Sequence, residues 1–195
     1  MKKYLSIILL FLVSIPIQSN EFTEIFALAE QGDVEAQISL GRMYAIGEVV
    51  PKNATTAVTW FTKASEQGDV YSQYNLGVMY DNGEGVSQNH AEAVKWHKKA
   101  ANLGFVDAQF SLGVRYAKGF GVPRNDAEAV KWYRKAADQG YVDAQLNLGA
   151  IYEGGVGVSE NITKAYVWWS MAKTQGSEKA AHNLEILKTK MTKQQ

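Results

Sequence analysis

The sequence contains no cysteine, which excludes disulfides, thiol chemistry and a lipid-bearing cysteine, so stability has to come from packing. It has no excess of charge either, since 20 Lys and Arg stand against 20 Asp and Glu. That balance speaks against nucleic acid or an anionic membrane surface as a partner. There are three histidines, His90, His97 and His182; they lack cysteine companions and fall at unmatched positions, so neither a structural zinc site nor a cofactor is expected. No carboxylate pair stands out as general acid and base. Long apolar runs are missing too: the run from Tyr4 to Val13 is too short for the roughly 20 residues of a spanning helix.

That run follows the basic Met1-Lys2-Lys3 and leads into Ser14, Pro16 and Ser19, the layout of a secretory signal cut after Ser19. Its removal takes away Lys2 and Lys3 and no acid, leaving 18 basic against 20 acidic side chains, a net of −2. The expected location is periplasmic or secreted, with no membrane association after cleavage. With 46% hydrophobic and 21% charged residues, the remainder reads as folded rather than disordered.

What is present is a repeat. Displacing the sequence by 36 aligns Leu40, Leu76, Leu112, Leu148 and Leu184, and sets Gly41, Gly77, Gly113 and Gly149 directly after the first four. Tyr44, Tyr80, Tyr116 and Tyr152 fall in phase, as do Trp60, Trp96, Trp132 and Trp168. Ala36, Leu40 and Tyr44 are four apart, while Ala57, Trp60 and Ala64 follow i, i+3, i+7, so each set shares one helical face. Each unit therefore reads as helix A (34–45 in the first copy), an eight-residue loop, and helix B (54–67). Gly47 and Gly68 with their equivalents mark the helix ends. Asn53, Asn89, Asn125 and Asn161 are N-caps of helix B, and Glu92 and Glu128 complete capping boxes in two of them. The glycine inside helix A costs about 1 kcal/mol relative to Ala. Close approach of helix B and its Trp is the expected compensation.

The expected organisation is a signal peptide (1–19), an N-terminal capping helix (20–32), four repeats (33–68, 69–104, 105–140, 141–176), and a C-terminal capping helix and tail (177–195). Phe22, Ile25, Phe26 and Ala29 should turn inward in the first cap. In the last, Glu185 and Lys188 replace the packing Gly and Tyr, as suits a face turned to solvent.

The combination Leu112-Gly113…Tyr116, Gly119…Gly121-Val122, Ala129…Trp132, Lys135-Ala136-Ala137 and Gly140 resembles the Sel1-like repeat family, relatives of the tetratricopeptide repeats. The resemblance covers about residues 21–190. It implies an all-α, right-handed α-solenoid of antiparallel helix pairs that holds proteins together; about ten helices and a monomeric, non-catalytic scaffold that binds a protein or peptide are expected. In such a solenoid helix A lines the concave side. The candidate partner-binding residues are then Ile38, Arg42, Tyr71, Tyr74, Val78, Asp107, Phe110, Val114, Lys118, Asp143 and Leu146, an apolar stripe with polar edges. The sequence leaves open whether Tyr74 and Phe110 face this groove or pack into the neighbouring repeat. The alternative is a cell-wall-related protein that binds peptidoglycan or another glycan or acts as a β-lactamase-like hydrolase: Ser170-Met171-Ala172-Lys173 spells Ser-x-x-Lys, but Ser-Asp-Asn and Lys-Thr-Gly are missing.

Overall fold

Thirteen-residue helices alternate along the chain because its capping residues recur every 36 positions. A computed structural model describes residues 21–193. The expected signal, residues 1–19, lies outside the described residues. Ten helices and no strand occur among the described residues: α1 (21–30), α2 (Val34–Ile46), α3 (Ala54–Glu66), α4 (Val70–Asn82), α5 (His90–Asn102), α6 (Val106–Lys118), α7 (Asp126–Asp138), α8 (Val142–Gly154), α9 (Ile162–Thr174) and α10 (Glu178–Lys193). They fall into two compact units, one running to Gln88 and the other starting at Asn89. No helix among the described residues is long and apolar enough to cross a membrane.

The helix ends follow the expected chemistry. Asn53, Asn89, Asn125 and Asn161 each accept a hydrogen bond from the backbone N–H three residues on, at 2.9–3.1 Å. Asp33 and Asp69 cap α2 and α4, and Ser177 accepts from the Ala180 N–H, whereas Phe105 and Tyr141 supply no side-chain cap. Gly47, Gly83, Gly119 and Gly155 end helix A in the left-handed conformation. The expected capping box does not close at Asn125. Its N–H donates instead to the Tyr116 carbonyl oxygen at 2.8 Å, which leaves Glu128 to pair with Lys131.

In each unit the core is built by pairing helix A with its own helix B. Leu40, Leu76, Leu112 and Leu148 are fully buried, each contributing about 1.5–3 kcal/mol by removal from water. The glycine that follows is required for contact, although the recurring Trp is not what it meets. A Cβ on Gly41 would lie 2.6 Å from the Phe61 ring, and the rings of Tyr133 and Trp169 stand where the Cβ atoms of Gly113 and Gly149 would go. The close partner is thus the residue after the recurring Trp. The recurring Trp is itself buried at positions 60 and 132 and half-buried at 96, with Lys63, Lys99 and Lys135 lying over Trp60, Trp96 and Trp132 at 3.8–4.2 Å. Close approach is also required in the loop: Gly157 has φ +70°, and a Cβ there would sit 2.6 Å from the Asp126 carbonyl carbon. That contact ties one repeat's loop to the start of the preceding helix B.

A second recurring feature is polar. Gln37, Gln73, Gln109 and Gln145, 36 apart, are all buried. Gln37 donates from Nε2 to the Ala29 carbonyl, Gln109 to Ala101 and Gln145 to Ala137, at 3.1–3.2 Å. Their Oε1 atoms accept from Gln67, Gln139 and Gln175 at 2.8–2.9 Å. Each of these carbonyls already accepts from the backbone N–H three residues on, at Gly32, Gly104 and Gly140, so the glutamine adds a second donor and ties the helix end to the next helix A.

At the ends, Ala29 of α1 is buried, Phe22 and Ile25 are half-buried, and Phe26 is 40% exposed. Phe26 nevertheless meets Trp60 edge-on, 5.8 Å between centroids. On α10, Glu185 and Lys188 are exposed and paired at 2.9 Å.

Candidate functional site

Positions between the recurring residues on helix A decide what the repeat surface presents. In the second unit, α6 and α8 place Phe110 and Leu146 in one register and Val114 and Ala150 in the next. Two adjoining clefts open there. The first, about 520 Å³, is lined by Phe110, Asp143, Leu146, Asn147, Lys179 and His182 among others. The second, about 440 Å³, is lined by Phe110, Val114, Lys118, Tyr133, Asn147 and Ile151 among others. Phe110, Asn147 and Ala150 belong to both. The structure therefore brings Phe110, Val114, Lys118, Asp143 and Leu146 together, while Asp107 lies half-buried and lines neither cleft.

Phe110 plays two roles at once. Its ring packs against Tyr141 at 4.8 Å and Tyr133 at 5.7 Å between centroids, and it still faces both clefts. Phe110 thus packs against the neighbouring repeat at Tyr141 while it lines the clefts. Burial holds Tyr133 protonated, its pKa pushed up to about 12, and a hydrogen bond joins its side chain to Asn147. Asn147 is fixed in orientation by that bond.

The first unit is arranged differently. Ile38, Tyr74 and Val78 are half-buried, and Tyr71 is exposed, its ring edge-on to Phe61 with 6.4 Å between centroids. Arg42 lines a separate cleft of about 190 Å³ with Ser39, Met43, Ile46, Glu48 and Val49. None of the other four joins it there.

Lys179, Asn147 and Asn183 line the larger cleft and were not among the expected site residues. Their signal was the register itself: Asn183 follows Asn147 by 36, and Lys179 follows Asp143 by 36. Of the histidines, His90 and His182 are exposed. His97 is 1% exposed at the position of Phe61, Tyr133 and Trp169, and burial depresses its pKa to about 4. Ser170 is half-buried on α9 and Lys173 is exposed.

The comparisons with known proteins accord with this geometry. A family model described as the Sel1 repeat matches residues 34–69, 70–105, 106–141 and 142–177. Among solved structures, a protective antigen present in uropathogenic Escherichia coli strains and displaying an SLR fold is 41% identical, with a TM-score of 0.80, over 82% of this chain. The match spans 34% of the antigen's own length, so the present chain corresponds to about a third of it. A Sel1 repeat protein from Oxalobacter formigenes is 33% identical, with a TM-score of 0.77, over 84% of this chain and 73% of its own. Cysteine-rich protein B from Helicobacter pylori is 26% identical, with a TM-score of 0.51, over 63% of this chain and 93% of its own. Among curated proteins, none matches.

Proposed function

Because the chain belongs to the Sel1 repeat family, whose members generally mediate protein–protein interaction, we propose that it is a non-catalytic scaffold of the bacterial cell envelope. It binds a segment of a protein partner in the groove lined by the first helix of each repeat. The observation that carries this reading is the pair of adjoining clefts that share Phe110, Asn147 and Ala150. An aromatic anchor set among apolar neighbours and edged by polar groups is the composition of an interaction hot spot.

The envelope location rests on the basic start and short apolar run before Ser19. The E. coli relative's description as a protective antigen supports it, since antibodies meet antigens outside the cytoplasm. The test is in-cell crosslinking from a photoreactive residue at position 110, read by mass spectrometry. A reproducible protein adduct that is lost when Leu146 is replaced by Glu supports the groove. Capture from position 167 on α9 with none from 110 contradicts it.

A further inference from the structure

On the groove face of α10, the repeat register changes sign. Positions 35, 71, 107 and 143 hold Glu35, Tyr71, Asp107 and Asp143, and the next in phase is Lys179. One turn further, His182 stands where Ile38, Tyr74, Phe110 and Leu146 form the apolar stripe, and Asn183 follows Asn147 by 36. Lys179, His182 and Asn183 are spaced i, i+3, i+4, which puts them on one face of α10. All three line the 520 Å³ cleft with Phe110 and Leu146.

One wall of that cleft thus carries an ammonium, an imidazole and a carboxamide, the floor is apolar, and Asp143 is the single acid. A wholly apolar occupant would strip water from these donors without replacing its hydrogen bonds, and a basic one would meet Lys179. A carboxylate has about four acceptor positions for three such donors. We infer that the groove takes a peptide segment with an apolar side chain and an acidic side chain two residues further on. The apolar group seats on Phe110, Leu146 and Ala150, and the carboxylate on Lys179, His182 and Asn183. Asn147, held by Tyr133, offers its amide to the segment's backbone. This rests on the groove reading above and specifies the partner's chemistry.

Three probes test it by ¹H–¹⁵N NMR titration of residues 20–195: the blocked peptide acetyl-Ala-Leu-Ala-Asp-Ala-amide, its Asn analogue, and the Asn analogue with a free C-terminal carboxylate. The expected result is that the Asp peptide shifts the amides of Phe110, Leu146 and Lys179 and binds about fivefold tighter than the blocked Asn peptide. Lys179→Glu should remove that preference with an unchanged urea midpoint. Equal binding of the two blocked peptides, with Phe110 still shifting, overturns the acidic-side-chain inference and leaves the groove standing. Tightening by the free C-terminus alone also overturns it. The absence of any shift at Phe110 and Leu146 with all three probes at millimolar concentration sinks this inference, while crosslinking at position 110 judges the groove separately.

Discussion

The two units use the same helix-A positions to different ends. In the first, Ile38, Tyr74 and Val78 are half-buried, and Arg42 lines a cleft of about 190 Å³. In the second, the equivalent Phe110, Val114, Leu146 and Ala150 border clefts of about 520 and 440 Å³. The scaffold beneath is equivalent in both, since Leu40 and Leu112 are equally buried and Gly41 and Gly113 each receive a ring. The difference comes from residues that do not recur. A repeat protein can therefore hold its backbone constant while changing what one stretch of surface binds.

The comparison breaks most readily at the position that follows the recurring Trp, held by Phe61, Tyr133 and Trp169 in three of the copies. His97 occupies it in α5, buried and with its pKa lowered to about 4 from 6.5. The fold holds it neutral, so its stabilising effect is fully present above pH 6.5. As pH falls from there toward 4, the unfolded chain takes up a proton that the folded one refuses, and stability drops. The loss should reach about 3 kcal/mol at the acid end. Urea midpoints at pH 7 and pH 4.5 should diverge much less in His97→Phe, which installs the residue type of position 61.

The next effect concerns close approach. Gly113→Ala puts a methyl group into the Tyr133 ring and should cost about 1–3 kcal/mol despite the better helix propensity of Ala. Gly154, also helical, has its nearest atom at 3.6 Å from an added Cβ, so Gly154→Ala should instead gain about 0.5–1 kcal/mol. Opposite signs in urea unfolding would sharpen the distinction between a glycine needed for contact and one that is not. Equal signs would remove it.

A comparable loss is expected in the polar ladder. Gln145→Leu removes two hydrogen bonds, one to the Ala137 carbonyl, which keeps the Gly140 N–H, and one from the Gln175 carboxamide, and should cost about 0.5–1.5 kcal/mol for each. The smallest change in stability is expected at the surface. Lys179→Glu alters an exposed side chain, so its urea midpoint should stay within about 0.5 kcal/mol of the parent while peptide preference changes.

Helix boundaries and register were legible because Leu, Gly, Tyr and Asn recur with period 36, and each has one physical role. The partner of the glycine was not. It is Phe61 in one copy, Tyr133 in another and Trp169 in a third, so no single letter marks it, and the letter that recurs is the Trp one place earlier. The buried glutamines did carry the period, at Gln37, Gln73, Gln109 and Gln145. Their burial depends on carbonyls at the end of the preceding helix B, a relation that appears only once the helices pack. The larger cleft was legible in part: Phe110 and Leu146 followed from the apolar stripe, whereas Lys179 and Asn183 lie on the capping helix, where departures from the repeat read as solvent exposure.

The most direct test of the groove assignment is parallel in-cell photocrosslinking from positions 110, 74 and 167, the second-unit groove, its first-unit counterpart and the outer face of α9. The account predicts a strong protein adduct from position 110, a weaker one from 74 and none from 167. An adduct from 167 with nothing from 110 would contradict it.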